Sequence, residues 1–202
     1  MRRLYLLRHG ESDWNLTGKV QGSKDSELTE KGVEQARLAG ARLKGERIGS
    51  IYASPLKRAK LTAEVVGAEL GVSPKVDEDF KEMCFGHWEG RLLSEVAEQN
   101  GEEYMLWKKR PHEFKVEGSE VLSEVQDRML KAIDRIKQCD SSENVLLVSH
   151  GTAIKAMILG LLGIDLSKYG NFSISNTGIT MIEFGDYNTV MRYFNDTAHL
   201  SR

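Results

Sequence analysis

The amino-acid sequence predicts an α/β fold, in which helices cover both faces of a mostly parallel β-sheet to give a three-layer α/β/α sandwich. Continuous apolar runs at residues 4–7 and 145–148 have the composition of strands that are buried on both faces. Segments with apolar residues at helical spacing alternate with such runs along the chain. The 202 residues, of which 40% are hydrophobic and 29% charged, suffice for one domain with a substantial core.

The first apolar run, residues 4–7, predicts a short strand whose carboxyl end carries Arg8 and His9. Thr29 has a side chain suited to the N-cap of the helix that follows, and this helix is expected to end at Gly45. The polar pair Arg8 and His9 therefore lies between a buried strand and the rest of the chain.

A second strand is predicted at residues 51–53, followed by a helix with Pro55 in its first turn and Gly71 at its end. Arg58 falls in that first turn, where a cation opposes the helix dipole unless an anion compensates it. This position favours a role for Arg58 in binding an anion.

The second half of the chain begins with an irregular segment. Residues 80–111 alternate charged and aromatic side chains without a clear period, which predicts a loop with short helices. An amphipathic helix is predicted at residues 120–137, and a buried strand at residues 145–148. His150 follows that strand and opens an apolar helix over residues 151–162, so the order of strand, polar residues and helix recurs.

Two further strands, at residues 178–184 and 190–194, are predicted to form a hairpin because residues 185–188 have turn composition. No internal repeat, low-complexity tract or linker interrupts the sequence. We therefore expect a single domain over residues 1–202, with a lid-like insertion around residues 91–120.

Composition narrows the classes of partner. The formal net charge of −2 gives no basic field for a nucleic-acid backbone, so no nucleic-acid partner is expected. The best apolar stretch, residues 153–164, is interrupted by Lys155 and Gly160 and is shorter than the ~18 residues that span a bilayer, so no membrane partner is expected.

Cys84 and Cys139 are too few for a disulfide framework, and the N-terminal apolar run is too short for a signal peptide. The chain is expected in the cytoplasm.

Ligands of open α/β sheets bind beyond the carboxyl ends of the strands, where the predicted elements place His9 and His150. Arg8 and Arg58 are expected near the same edge. Guanidinium groups pair bidentately with phosphoryl oxygens, and an imidazole nitrogen can attack phosphorus or donate to an oxygen. These four residues predict a small cationic pocket for a phosphoryl group.

Phosphoryl transfer also needs a proton for the leaving alkoxide, which a carboxylic acid beside the cations can supply. Glu82 is the first candidate for this acid. Glu89 is kept as its substitute, because the segment is rich in acidic residues. His87, His112 and His199 form no metal-ligand spacing and are interpreted as surface or supporting residues.

Four blocks, spread from Leu6 to Thr180, carry a resemblance to known proteins. The blocks are Arg8-His9-Gly10-Glu11-Ser12 with Gly18-Lys19-Val20-Gln21-Gly22, Ser54-Pro55-Leu56-x-Arg58-Ala59, Glu82 with Phe85-Gly86-x-Trp88-Glu89-Gly90, and Val148-Ser149-His150-Gly151 with Asn176-Thr177-Gly178. Together they resemble the histidine phosphatase, or phosphoglycerate mutase-like, superfamily. Glu27 departs from the family pattern, in which many members have proline.

The resemblance implies roles for the matching residues. His9 is implied as the nucleophile that forms a phosphohistidine, and Glu82 as the general acid and then the general base. No metal or nucleotide cofactor is implied. The residues implied to hold the phosphoryl oxygens or to line the pocket are Arg8, Arg58, His150, Asn15, Gln21, Gly22 and Gly151.

Other classes of protein fit the sequence less well. A zinc enzyme needs three or four ligands at characteristic spacings, such as His-Glu-x-x-His, and none is present. A cysteine phosphatase with Cys84 as nucleophile would need arginine where Gly90 stands, and a phosphoaspartyl phosphatase using Asp77 lacks the expected strand. A non-enzymatic phosphate-binding or regulatory role stays open.

Phosphatase and mutase members of the family differ in whether water or a second substrate hydroxyl receives the phosphoryl group. Mutases resemble this chain in the core but generally carry a longer insertion before the second histidine. The short 91–120 region therefore favours a hydrolase of a small phosphate ester, similar to the broad-specificity and α-ribazole-phosphate phosphatases, with phosphoglycerate mutase as the alternative. Tyr104, Trp107 and Lys108 are candidates for specificity residues. The sequence leaves the substrate and the oligomeric state open, a homodimer included.

Overall fold

The centre of the molecule is a six-stranded mixed β-sheet, in a computed structural model that describes residues 1–201. The strands are β1 (Arg3–Arg8), β2 (Ser50–Ala53), β3 (Pro74–Val76), β4 (Asn144–Ser149), β5 (Ile179–Phe184) and β6 (Thr189–Asp196). Their order across the sheet is β3-β2-β4-β1-β5-β6. The first four strands in this order run parallel, while β5 pairs antiparallel with both β1 and β6. The predicted sheet, mostly parallel with a C-terminal hairpin, is confirmed.

Seven α-helices flank the sheet within these residues. They are α1 (Asp13–Thr17), α2 (Glu30–Leu43), α3 (Lys57–Leu70), α4 (Leu93–Gln99), α5 (Gly101–Lys109), α6 (Leu122–Cys139) and α7 (Gly151–Leu161). None of the helices in residues 1–201 has both the length and the apolar character needed to cross a bilayer.

The two faces of the sheet carry separate hydrophobic cores, because successive side chains of a strand point to opposite faces. Tyr5 and Leu7 of β1 pack in the core formed with α2 and α3, whereas Leu4 and Leu6 pack in the core formed with α6 and α7. All four side chains are fully buried. The three-layer α/β/α sandwich predicted from the sequence is confirmed.

Helix boundaries follow the predicted signals with one exception. The Thr29 hydroxyl accepts a hydrogen bond from the amide of Gly32 at 3.0 Å and caps α2. Gly71, with φ of 70°, ends α3. The prediction that Pro55 lies in the first turn was wrong, because Leu56 has an extended backbone and the helix begins at Lys57.

Strand β3 was not predicted from the sequence. It has only three residues, lies at the edge of the sheet and exposes most of its side chains to solvent. Such an edge strand lacks the continuous apolar run that identified the central strands, and its initial proline is tolerated because an edge position leaves one side of the backbone unpaired.

Candidate active site

A cavity of about 360 Å³ opens beyond the carboxyl ends of the two central strands. Strand β1 ends at Arg8, which His9 follows, and β4 ends at Ser149, which His150 follows. These strands pair in parallel with Arg8 opposite Ser149, so their ends meet at one edge of the sheet. The parallel pairing brings together the two histidines that the sequence placed at strand ends.

His9 lines the cavity and is only 3% exposed. Its Nδ1 lies 2.7 Å from the carbonyl oxygen of Gly10, and since a carbonyl only accepts, Nδ1 carries the proton. Burial, followed by the positive charges of Arg58 and Arg8, holds the pKa of the His9 imidazole well below its usual value. The ring is therefore neutral near pH 7, and its Nε2 has a free lone pair.

His150 is completely buried beside His9, with 5.2 Å between the two ring centroids. Its Nε2 lies 2.7 Å from the hydroxyl oxygen of Ser54. Burial, followed by the charge of Arg58, lowers the pKa of His150 well below its usual value. Its Nδ1 is buried without a hydrogen-bond partner among the described residues, and His150 stands behind His9 rather than among the residues that line the cavity.

Arg8 approaches the same cavity from the end of β1. Its Nη1 donates to the carbonyl oxygen of Ile174 at 2.6 Å, while its Nε is buried and unpaired in the part of the chain that the structure describes. Gly151 lies beside this nitrogen, since a Cβ at that position would be 3.6 Å from it, an ordinary van der Waals contact. Burial lowers the pKa of the Arg8 guanidinium.

Arg58, the second residue of α3, is 1% exposed. Its Nη1 and Nη2 donate to the carbonyl oxygens of Lys24 and Gly22, each at 2.7 Å, and its Nε has no partner among the described residues. Burial lowers the pKa of Arg58 to about 10. A buried cation in the first turn of a helix is doubly unfavourable unless an anion joins it.

Glu82 lines the cavity from the segment after β3. Its Oε1 accepts from the backbone amides of Met83 at 2.8 Å and Ala153 at 3.0 Å, and its Oε2 accepts from Thr152 at 3.0 Å. The carboxylate therefore caps the N-terminus of α7, whose free amides and dipole favour a negative group. Oε2, with a single such bond, keeps a lone pair for a proton.

Residues 4–197 match the family model of the histidine phosphatase superfamily, branch 1. The chain belongs to this superfamily. It is 34% identical over 200 residues to phosphoserine phosphatase 1 of Hydrogenobacter thermophilus, covering 99% of this chain and 95% of that protein. It is 30% identical to the probable phosphoglycerate mutase GpmB of Erwinia tasmaniensis, over 91% of this chain and 85% of that one.

A solved structure of a mutant phosphoserine phosphatase from Entamoeba histolytica, in complex with phosphoserine, superimposes with a TM-score of 0.84. The two chains are 36% identical, and the match covers 99% of this chain and 100% of that one. The resemblance to histidine phosphatases inferred from the sequence blocks is thus confirmed.

Three of the four predicted pocket-lining residues of this histidine phosphatase do line the cavity: Gln21, Gly22 and Gly151. Asn15 does not. Its Oδ1 accepts from the amide of Ser12 at 3.1 Å and from Nδ2 of Asn176 at 3.2 Å. Asn15 thereby caps α1. It also contacts Asn176, whose Nδ2 donates to the backbone carbonyl oxygen of His9.

Glu89, the substitute acid, is buried and is not among the residues that line the cavity. Its Oε1 accepts from the amides of Ser23 at 2.8 Å and Phe85 at 2.9 Å. These bonds connect the loop after α1 to the segment after β3. A Cβ on Gly22 would come within 2.0 Å of that oxygen, and its φ of +55° also favours glycine. Glu82 is therefore the better-placed of the two carboxylates.

The remaining histidines lie outside the cavity lining, in agreement with their interpretation as surface or supporting residues. His87 Nε2 lies 3.0 Å from a carboxylate oxygen of Glu103, and His199 Nε2 lies 3.3 Å from the hydroxyl of Thr177. Within residues 1–201, no group of three histidine, cysteine or acidic side chains is arranged to hold a metal ion.

Specificity residues were only partly predicted. Trp107 of α5 lines the cavity, and Lys108 lines an adjoining groove of about 190 Å³, but Tyr104 packs against the core instead. Lys155 and Tyr169, which line both spaces, were not predicted from the sequence. For Lys155 a signal was present, because it stands four residues after Gly151 and so shares one face of α7 with it.

Proposed function

We propose that the protein is a phosphomonoester hydrolase that acts on a small phosphorylated metabolite through a phosphohistidine on His9. One observation carries the proposal. Three buried nitrogens around His9 lack a hydrogen-bond partner among the described residues: Arg8 Nε, Arg58 Nε and His150 Nδ1. Unpaired buried polar groups are costly, and a phosphoryl group offers each nitrogen an oxygen.

In the first step, Nε2 of neutral His9 attacks phosphorus, and the bond between phosphorus and the ester oxygen breaks. Glu82 donates its proton to the leaving alkoxide, which departs as a neutral alcohol. Arg8, Arg58 and His150 stabilise the charge on the phosphoryl oxygens while it is transferred. The chemistry is supplied entirely by side chains of this chain.

In the second step, the Glu82 carboxylate takes a proton from water, whose oxygen attacks the phosphohistidine. The bond between phosphorus and Nε2 breaks, inorganic phosphate leaves, and His9 returns to its neutral form. Glu82 has regained the proton that it donated in the first step. The cycle is therefore balanced in protons and phosphoryl groups.

Residues 91–120 fit the role of a lid in a single domain that spans residues 1–202. Helix α5 within this segment contributes Trp107 to the cavity wall. We propose that the reaction takes place in the cytoplasm, in keeping with the two free cysteines Cys84 and Cys139.

A panel of phosphate esters tests the proposed function. Phosphoserine is the first member, because relatives of this chain carry the name phosphoserine phosphatase, and 3-phosphoglycerate is assayed beside it for mutase turnover. We expect release of inorganic phosphate without added metal, at rates far above any isomerisation of 3-phosphoglycerate. Isomerisation that outpaces hydrolysis would assign the chain to the mutases. Tight phosphate binding without turnover of any ester would favour the regulatory role.

A further inference from the structure

Lys155 is a partly buried lysine whose ammonium group has no carboxylate within ion-pair distance among the described residues. Its Nζ donates to the carbonyl oxygen of Phe172 at 3.2 Å and lies 3.6 Å from the centre of the Tyr169 ring. An ammonium group has three donors, and only one of them is used here. Lys155 therefore faces the cavity with hydrogen-bonding capacity to spare.

The charges that line the cavity are unbalanced. Arg8, Lys19, Arg58 and Lys155 are cations, and Glu82 is the only carboxylate among the lining residues that the structure describes. These lining groups carry four positive formal charges and one negative charge, so the two negative charges of a phosphomonoester leave one positive charge uncompensated. A substrate with one further negative charge would complete the balance.

The position of Lys155 separates it from the phosphoryl-binding end. Gly151 opens α7 beside Arg8, and Lys155 lies one helical turn further, about 6 Å along the axis. Trp107 and Tyr169 line the cavity together with Lys155, and all three residues also line the adjoining groove. A small substrate held at His9 would thus present its distal end to Lys155.

We propose that Lys155 is a specificity residue that binds a carboxylate on the distal end of the substrate, which makes the substrate class a phosphorylated hydroxy acid or amino acid. The inference rests on the proposed function of the same cavity. It adds that a second anionic group is recognised, by a residue that takes no part in the transfer of the phosphoryl group.

The protonation of Lys155 gives this role a pH signature. Burial lowers the pKa of Lys155 to about 8, with Glu82 acting to raise it and Arg8 to lower it further. Tyr169, whose own pKa is raised by burial, stays neutral over this range. Lys155 is charged at pH 7 and loses its proton as the pH rises through about 8, so affinity for the carboxylate should fall there.

Two ligands separate carboxylate recognition from phosphate recognition. L-Phosphoserine and phosphoethanolamine share the phosphate, the skeleton and the ammonium group, but only phosphoserine has a carboxylate. Their dissociation constants are measured by calorimetry on the His9→Ala protein and on the same protein with Lys155→Met, Lys155→Arg or Lys131→Met. Lys131 is an exposed lysine of α6 and serves as the matched control.

We expect Lys155→Met to reduce the preference for phosphoserine about 10- to 100-fold, the usual worth of a charge-assisted hydrogen bond. Lys155→Arg should keep the preference up to pH 9, whereas the preference with Lys155 should decline above pH 8. A phosphoserine preference that is unchanged in Lys155→Met would overturn the inference. Binding needs no turnover, so a failure of the proposed hydrolysis appears separately, as loss of phosphate release by the unsubstituted enzyme.

Discussion

Replacement of His9 with alanine is expected to lower kcat by at least about 10⁴-fold, because it removes the only nucleophile that the proposed mechanism uses. His9 is held by the hydrogen bond from its Nδ1 to Gly10, and it is the only histidine among the described residues that line the cavity. Affinity for phosphate esters should survive, since Arg8, Arg58 and His150 remain. The measurement is steady-state phosphate release together with ligand affinity.

His87→Gln is the matched control for this substitution. His87 lies outside the cavity lining, and glutamine can keep a hydrogen bond to Glu103. Its kcat should stay within about twofold of the unsubstituted enzyme, as expected for a surface change. A His9→Ala protein that is folded and retains a tenth of the activity would contradict the assignment of His9.

Substitution of Arg58 with methionine should lower kcat/KM about 10²- to 10³-fold, the usual cost of removing one donor that stabilises transition-state charge. The same change should abolish the rise in Tm that inorganic phosphate gives the unsubstituted protein. The physical reason is that Nε of Arg58 is buried without a hydrogen-bond partner among the described residues. A bound phosphate oxygen would supply that partner and so stabilise the folded protein.

Arg58 also has a structural part, because it holds the carbonyl oxygens of Gly22 and Lys24. Loss of these two bonds and relief of an uncompensated buried charge act in opposite directions on the free energy of unfolding. Arg37→Met, which removes an exposed arginine of α2 paired with Glu34, controls for the loss of charge. A phosphate-dependent rise in Tm that persists in Arg58→Met would contradict the phosphate-binding role.

The positions of His9 and His150 were predictable because each follows a continuous apolar run, and parallel strands bring their carboxyl ends to one edge. Arg58 was predictable from its place in the first turn of a helix, although Pro55 misplaced the start of that helix by two residues. Local sequence is informative here because the strand and helix signals are strong on both sides of each residue.

Other features depend on tertiary contacts that no local pattern reveals. Glu82 caps α7, which begins 69 residues later in the chain, and Glu89 fastens a loop 66 residues earlier. The capping role of Asn15 could have been anticipated from its spacing to Ser12, since a polar residue three positions after a serine fits a capping box. Lys155 was interpreted only as an interruption of an apolar run. Its spacing of four residues from Gly151 places both residues on the same face of α7, which lines the cavity.

The phosphoenzyme itself gives the most direct test of the central claim. The protein is mixed with an excess of an ester that it hydrolyses, quenched within milliseconds in alkaline denaturant, which preserves phosphohistidine, and digested for mass spectrometry. We predict one added phosphoryl group per chain, located on His9, and none in the His9→Ala protein. Phosphate release without any labelled residue, or a label carried by a residue other than His9, would contradict the mechanism.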